Sequence, residues 1–237
     1  MNLMILSGNT LKIIAAISML IDHIGFILFP DQVVLRIIGR LSYPIFAFMI
    51  AEGCFYTKNK AKYFSGIFAL ATICQIFYYV YNRDFYMGIL VTFSISVLLI
   101  YLVEFLNERF HLSESTGFQK IGAALIFTVA IVAIYFLNAY VVIDYGFWGC
   151  IAPLFVTIFR KTKTLKISSL TLQKIAFGIA LVILSASLGG VQYYCLLALP
   201  LLFAYSGKRG KAKMKLFFYI FYPTHIVAVQ MLSMLLN

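Results

Sequence analysis

The sequence predicts an all-α fold, a polytopic transmembrane bundle of about nine helices, and two observations lead to this prediction. The chain has 237 residues, of which 63% are hydrophobic and only 11% are charged, and its mean hydropathy is +0.97. Soluble domains do not reach such values. The apolar residues also occur in successive runs of roughly 20, the length that a helix needs to cross a bilayer. We therefore expect one membrane-embedded domain over residues 1–237.

The apolar runs place the predicted helices in order along the chain. The first run carries Asp22 and His23 and is followed by many others, so we interpret it as a retained span and not as a cleaved signal peptide. The sixth to eighth runs are the least regular. Tight turns at Asp144 and at Gly189-Gly190 leave open that two neighbouring spans are re-entrant halves. The nine predicted spans cover residues 11–29, 34–56, 63–81, 86–106, 121–141, 143–159, 172–188, 191–206 and 214–236.

Lysine and arginine concentrate in every second connection between these spans, which the positive-inside rule assigns to the cytoplasm. The pattern requires an odd number of spans, with the N-terminus inside and the C-terminus outside a bacterial cytoplasmic membrane. It also accounts for the net charge of +11 without nucleic acid as a partner. The cations of these connections are Lys58, Lys60 and Lys62; Arg109 and Lys120; Arg160, Lys161, Lys163, Lys166 and Lys174; and Lys208, Arg209, Lys211, Lys213 and Lys215.

Two histidines lie inside strongly apolar runs, where ionisable side chains are costly and usually functional. His23 belongs to the first span and His225 to the ninth. A rise of about 1.5 Å per residue from the inner end of each span places both at nearly the same depth. Pro223 removes an amide donor just before His225, and such a break can aim a side chain into a cavity. The two histidines together predict one site, although either alone could simply bond two helices to each other.

Lys12 shares a face of the first span with His23. The two residues are eleven positions apart, and eleven steps of about 100° complete three turns to within roughly 20°. Their separation along the helix axis is about 16 Å. Lys12 is therefore expected at the inner interface, with His23 much deeper in the membrane.

The second span carries Arg36 and Arg40, four residues apart on one helix face. A buried carboxylate is stable chiefly when it is paired, so we expect Asp22 to form an ion pair with one of these arginines. Two alternatives remain open. Asp22 could instead orient His225 across the bundle, and the arginines could simply snorkel to the interface.

Glu52, near the inner end of the second span, has two open roles. It could bind substrate, or it could pair with Lys58 or Lys60. The cysteines show no metal-ligand or redox spacing and are interpreted as small buried apolar residues, so no metal is expected. They are Cys54, Cys74, Cys150 and Cys195.

A cation at the inner interface and a potential base about 16 Å deeper match a long thioester donor such as acyl-coenzyme A. Lys12 and the basic eighth connection, which contains Lys208 and Arg209, would hold its phosphates. One of the two histidines would take a proton from an attacking amine or hydroxyl. Arg40 could stabilise the oxyanion that develops.

Three blocks of the sequence carry a family resemblance. The first runs from Leu11-Lys12 to Ile21-Asp22-His23-Ile24, the second is residues 38–48 followed by Glu52-Gly53, and the third is Gly207-Lys208-Arg209-Gly210 followed by residues 218–225. These blocks resemble the TraX family of membrane acetyltransferases, whose name-giving member is associated with N-terminal acetylation of conjugative pilin. The spacing of Lys12 and His23 is also similar to an Arg/Lys and His pair in the acyltransferases that O-acetylate surface glycans.

The resemblance implies transfer of an acyl group, usually acetyl, from cytoplasmic acetyl-CoA to a peptide, glycan or lipid acceptor at the membrane. It does not fix that acceptor. The candidate catalytic residues are His23, His225 and Asp22. The candidate donor-binding residues are Lys12, Arg40, Lys208 and Arg209. The candidate acceptor-binding residues are Arg36, Glu52 and Tyr222.

Two other classes of function compete with this interpretation. A proton-coupled transporter would also place carboxylates and histidines within the membrane, but we find no internal repeat or paired broken helices of the kind that such transporters show. A purely structural membrane subunit would have no need of two histidines at one depth.

Overall fold

The computed structural model describes residues 5–110, 116–160 and 168–236, with Asn82 and Lys215 described by their backbone alone. Within these ranges the chain is helical and contains no strand, which confirms the predicted fold class. The helices are α1 (Gly8–Ile27), α2 (Val33–Gly39), α3 (Ser42–Tyr56), α4 (Lys60–Asn82), α5 (Ile89–Phe110), α6 (Gly117–Tyr140), α7 (Gly146–Ile158), α8 (Ser169–Leu188), a 3-10 helix (Gly190–Ala198), α9 (Leu199–Phe203) and α10 (Lys215–Leu236).

Seven segments of the described chain are long and apolar enough to cross a membrane. Two shorter apolar segments, Gly146–Ile158 and Gly190–Phe203, correspond to the predicted sixth and eighth spans. The seven long segments correspond to the other predicted spans, the second of which is built from α2 and α3 together. The membrane-spanning class is therefore confirmed, whereas the count of nine spans stays a prediction for the two short segments.

The helices cluster into two compact units. The first unit comprises Met1–Met49 and Ile158–Asn237, and the second comprises Ile50–Thr157. This division reflects which helices pack together and does not test how many domains the chain has. The expectation of one membrane domain over residues 1–237 stays a prediction.

In the first unit, the short eighth segment runs antiparallel to α8. Its Gln192 carbonyl accepts a hydrogen bond from Ser185 Oγ near the end of α8 (3.4 Å). At its other end, the Tyr205 carbonyl accepts from Lys174 Nζ near the start of α8 (2.8 Å). The segment therefore returns along about 16 Å of α8.

The 3-10 conformation lengthens this short segment. A 3-10 helix rises about 2.0 Å per residue, against about 1.5 Å for an α-helix. The nine-residue 3-10 helix and the five residues of α9 therefore reach about 25 Å together. An α-helix of the same residues would reach only about 21 Å.

Two glycines let α1 and α2 pack at close range. A Cβ atom on Gly25 would lie 2.6 Å from the Cβ of Leu35, and one on Gly39 would collide with the Asp22 carboxylate. Real side chains do not approach so closely. Glycine at both positions therefore allows the contact that brings Asp22 up to the second helix.

In the second unit, polar side chains join α5 to the start of α7. Thr92 Oγ1 donates to the Asp144 carbonyl (2.7 Å), and Ser96 Oγ donates to the Cys150 carbonyl (2.7 Å). The turn predicted at Asp144 is present, and Tyr145 and Gly146 adopt positive φ angles of 61° and 59°. Lys60, at the start of α4, pairs with Glu104 of α5 at 3.0 Å.

One end of the first unit carries several of the cations that the sequence assigns to the cytoplasm. Ser169 Oγ donates to the Arg160 carbonyl (3.1 Å), and the amides of Gly8 and Asn9 donate to the carbonyls of Lys208 and Arg209 (2.8 and 2.9 Å). The start of α1, the start of α8 and the 204–212 loop therefore lie together, as the positive-inside rule requires of residues on one side of a membrane.

We predict that topology reporters fused after Lys62, Lys120, Lys166 and Arg209 are cytoplasmic, and that a reporter after Asn237 is external, because the cationic connections stay inside. Lys166 and Asn237 lie outside the described residues. The measurement is the paired activity of alkaline phosphatase and green fluorescent protein fusions. An external reporter after Arg209 would contradict both the topology and a cytoplasmic donor.

Candidate active site

His23 of α1 and His225 of α10 meet within the first unit. Their ring centroids are 4.9 Å apart and the ring planes are inclined by 76°. His225 is only 5% exposed, and His23 is half-buried. The predicted convergence of the two histidines is therefore confirmed, although their sequence positions are about 200 residues apart.

The hydrogen bonds of the two rings determine which nitrogen carries the proton. His23 Nδ1 lies 2.8 Å from the Met19 carbonyl oxygen, and His225 Nδ1 lies 2.9 Å from that of Phe221. A carbonyl oxygen can only accept, so each Nδ1 must be the donor. In the neutral rings, both Nε2 atoms then carry a lone pair and can accept a proton.

The Nε2 atom of His225 is available for such a proton. It is buried and has no hydrogen-bond partner among the described residues. Buried polar atoms are normally bonded, and an exception calls for an explanation such as a catalytic role.

Aromatic rings hold the His225 imidazole in place. The Phe221 ring stacks on it at 4.8 Å with an interplanar angle of 8°, and the Tyr222 ring meets it edge-on at 5.6 Å. Tyr222, a predicted acceptor-binding residue, is thus in contact with a candidate base. Pro223 lies inside α10, which continues as a helix on both sides of it.

Asp22 forms the ion pair predicted from the sequence. Its carboxylate lies 2.9 Å from Arg36 Nη1 and 2.7 Å from Arg40 Nη2. The alternative, in which Asp22 orients His225, is wrong because the Nδ1 of His225 bonds the Phe221 carbonyl and its Nε2 has no partner among the described residues. Asp22 therefore fixes α1 against α2, one residue away from His23.

Gln192 completes this group and was not found by sequence reasoning. It lies in the 3-10 helix, and its Oε1 accepts from Arg40 Nη1 at 3.2 Å. Arg40 thus joins Asp22 of α1 to Gln192 of the eighth segment. The sequence does contain a signal for it. Gln192 is an amide side chain in an apolar run just after Gly189-Gly190, and such a side chain is a natural partner for a charge within the membrane.

Lys12 and the 204–212 loop form the basic end of the first unit. Lys12 is half-buried, and it lies close enough to Arg209 for their like charges to repel each other. The side chains of Lys208 and Arg209 are exposed. These three predicted donor-binding residues therefore lie at the start of α1, whereas Arg40, the fourth, lies near Asp22.

The backbone amides at the start of α1 are already bonded within the protein. The Gly8 and Asn9 amides donate to the Lys208 and Arg209 carbonyls, and the Thr10 amide donates to Ser7 Oγ at 3.2 Å. Amides that are bonded in this way cannot also cradle a phosphate. Side-chain cations must supply the attraction.

The loop keeps its shape because of a glycine. Gly210 has a φ angle of +93°, and a Cβ atom there would lie 2.9 Å from Ser7 Oγ. Asn9, which is 8% exposed, donates from Nδ2 to the Ala212 carbonyl at 2.8 Å. The loop that carries Lys208 and Arg209 is therefore fastened to α1 and not free.

Lys174 is a second residue that sequence reasoning did not single out as buried. It is 1% exposed, and its Nζ donates to the carbonyls of Phe203 and Tyr205 at 3.1 and 2.8 Å. The carbonyl end of α9 thus receives the positive charge, which is the favourable end of a helix for a cation. Lys174 ties α8 to the eighth segment.

The remaining candidate, Glu52, lies in the second unit and is 4% exposed. No cluster of three or more potential metal ligands occurs among the described residues.

A family model described as "TraX protein" matches residues 7–233, which is nearly the whole chain. The chain belongs to the TraX family. In this family member the three blocks that carry the resemblance supply Lys12, Asp22 and His23 of α1, Arg40 directly after α2, and the Lys208–Arg209 loop with His225 of α10. All of these residues lie in the first unit.

Two curated proteins resemble parts of the chain. An uncharacterized protein of Rickettsia prowazekii is 38% identical over 77 residues, which is 32% of this chain and 29% of that protein. A probable fimbrial assembly protein of Dichelobacter nodosus is 36% identical over 76 residues, 30% of this chain and 31% of that protein. The chain therefore aligns with less than a third of each relative. No solved structure matches it.

The hydrogen bonds of the two rings predict that His23 and His225 are both Nδ1–H tautomers when neutral. The measurement is nitrogen NMR of protein labelled with ¹⁵N-histidine, in which each Nε2 should show the shift of an unprotonated imine nitrogen. The chain has three histidines, and His111 lies outside the described residues, so His23→Gln and His225→Gln variants assign the signals. An Nε2–H tautomer at either site would contradict the described geometry.

Proposed function

We propose that this TraX family member is an integral membrane acyltransferase that moves an acetyl group from cytoplasmic acetyl-CoA to an amine or hydroxyl of a membrane or surface acceptor. The observation that carries the proposal is the pair formed by His23 and His225, whose Nε2 atoms are free of protons in the neutral rings. The pair lies about 16 Å along α1 from Lys12. The proposed location is the bacterial cytoplasmic membrane.

The basic end of α1 suits the phosphates of the donor. Lys12, Lys208 and Arg209 place three positive charges around the start of one helix, and an anionic donor would relieve their mutual repulsion. Arginine and lysine both bind phosphate, arginine with two parallel donors and lysine as a point charge. We assign donor binding to these three side chains, with the thioester directed along α1 toward His23.

The histidine pair would act as the general base. As the acceptor nitrogen or oxygen bonds to the acetyl carbonyl carbon, one Nε2 takes the proton that the acceptor loses. The bond between the carbonyl carbon and the sulfur then breaks, and the imidazolium returns the proton to the departing thiolate. The products are the acetylated acceptor and coenzyme A as a thiol.

Arg40 fits a positioning role better than direct oxyanion stabilisation. Its Nη2 contacts both carboxylate oxygens of Asp22, at 2.8 and 2.7 Å, and its Nη1 contacts Gln192. A guanidinium paired with a carboxylate has less charge to offer a transition state. We assign Asp22 and Arg40 to fixing α1, and so His23, against its neighbours.

The comparisons support one acceptor class ahead of the others. One relative is named as a probable fimbrial assembly protein, and the family resemblance is associated with acetylation of pilin. We therefore propose a surface structural protein, with its N-terminal amine, as the first acceptor to test, ahead of glycans and lipids. Mass spectrometry of surface peptides, glycans and lipids from expressing and deleted cells would identify it by a gain of one acetyl mass.

Transfer of radiolabel from [¹⁴C]acetyl-CoA to membranes tests the proposal against its alternatives. Covalent label that requires the protein supports an acyltransferase. Proton-driven uptake into vesicles without covalent label would instead favour the transporter interpretation. The absence of both covalent label and uptake would favour a structural subunit. Membranes that carry a His23→Ala and His225→Ala double variant are the control, and label should be lost from them.

The geometry of α1 predicts different kinetic defects at its two ends. Lys12→Ala should raise the KM for acetyl-CoA with little change in kcat, because the proposal assigns Lys12 to the donor phosphates and not to the reacting atoms. His23→Ala should lower kcat by about 100-fold or more, as loss of a general base commonly does. Lys12→Arg should be milder than Lys12→Ala, since either cation captures phosphate. The measurement is acetyl transfer by purified protein against acetyl-CoA concentration.

Lys120→Ala supplies the matched control, because Lys120 lies in the first turns of α6 much as Lys12 lies in those of α1. It should leave both parameters unchanged. Full turnover by His23→Ala, together with unchanged kcat and KM for Lys12→Ala, would show that the spacing between Lys12 and His23 is a coincidence. The site would then have to be built around His225.

A further inference from the structure

The ion-pair group at the far end of α1 has more positive than negative charge. Asp22 contributes one carboxylate, and Arg36 and Arg40 contribute two guanidinium groups. Arg40 makes the closer contacts, through one nitrogen to both carboxylate oxygens. The group therefore keeps one net positive charge, and Arg36 is its more accessible arginine, with 25% of the side chain exposed against 12% for Arg40.

Gln192 adds an unused donor to this group. It is 4% exposed, and its Oε1 is held by Arg40. Its Nε2 is buried without a hydrogen-bond acceptor among the described residues. The Gln192 side chain lies within hydrogen-bonding reach of the Cys195 thiol, and sulfur is a weak acceptor. The Gln192 amide is thus held in place through its oxygen, and its Nε2 is positioned to donate a hydrogen bond to a ligand.

The surroundings indicate that such a ligand comes from the bilayer. Arg36 lies 4.9 Å above the ring of Phe26, which is itself 66% exposed. Phe29, Val33 and Val34 are each at least half exposed. In a membrane-spanning chain, exposed apolar side chains like these face acyl chains.

The depth of the group also fits a lipid headgroup. Arg36 is the fourth residue of α2, so it lies within about 6 Å of the end of that span. Lipid phosphates lie at this level, and arginine binds them with its forked donors. The basic 204–212 loop lies at the opposite end of the first unit.

We propose that Arg36, Arg40 and Gln192 form a binding site for the phosphate of a membrane lipid, with Arg36 supplying the charge and Gln192 Nε2 a fixed hydrogen bond. The lipid's acyl chains lie along Phe26 and the apolar start of α2. Its headgroup then lies beside Asp22, one residue from His23, at the acceptor end of the proposed active site.

Native mass spectrometry of the full chain in detergent micelles tests the site without any acyl donor, so the result does not depend on acyl transfer. The probes are dioleoyl phosphatidic acid and dioleoylglycerol, which share the same chains and differ by the phosphate. The wild-type protein should bind the phosphatidic acid about tenfold more tightly or better, as a charge-assisted contact implies. Equal binding of the two probes would overturn the proposal.

Three variants locate the site. Arg36→Gln should remove the preference for phosphatidic acid. Gln192→Leu should reduce the preference by about threefold, because one hydrogen-bond donor is lost while the charge of Arg36 stays. Gln192→Glu keeps an oxygen for Arg40, and so preserves the fold, but its added negative charge should abolish phosphate binding. A preference retained by Gln192→Glu would show that the lipid binds elsewhere.

Gln173→Leu is the matched control. Gln173 is also 4% exposed, and its Oε1 accepts from Arg160 Nη1 at 3.3 Å. Its Nε2, unlike that of Gln192, already donates to Ser169 Oγ at 2.9 Å. This variant should keep the preference, and a loss equal to that of Gln192→Leu would overturn the assignment. Competition by inorganic phosphate at equal concentration would show that the site takes the free anion and not a lipid.

Discussion

The ion pair that joins Asp22 to Arg36 and Arg40 is the interaction on which the rest of the first unit depends. A carboxylate in a membrane helix is unstable unless a cation accompanies it, because hydrocarbon does not solvate charge. Glycine at positions 25 and 39 allows α1 and α2 to approach closely enough to form the pair. The pair then sets the rotation of α1, and that rotation directs His23 toward α10.

The same constraint accounts for the eighth segment. Gln192 and Lys174 lie within apolar runs, and each is bonded to a group that is distant in sequence: Arg40 for Gln192, and the carbonyl end of α9 for Lys174. Polar side chains thus fasten this short segment at both of its ends. Between them the backbone is a 3-10 helix for nine residues and an α-helix for the next five.

Much of this arrangement was predictable because hydropathy and charge are properties of the sequence alone. The apolar runs located the seven long and two short apolar segments to within a few residues, but not the division of the second span into α2 and α3. Equal depth was enough to bring His23 and His225 together. The 3-10 conformation at 190–198 was not predictable, since hydropathy does not distinguish a rise of about 2.0 Å from one of about 1.5 Å. Gln192 was missed because its partner is 152 positions away, and the tautomers of the histidines depend on bonds that only coordinates reveal.

The fastening of the 204–212 loop to the start of α1 has a consequence for selectivity. Because the loop is bonded to the helix that carries His23, the backbone of its two cations and that histidine are attached to the same helix. The distance between the loop and His23 is then set by the length of α1, and it does not adjust to the molecule that binds there. On the proposed function, a donor whose thioester arm is shorter than this distance would lie out of reach of His23 however tightly its phosphates were held. Such an acyltransferase would distinguish donors by the length of the arm before the acyl group at its tip.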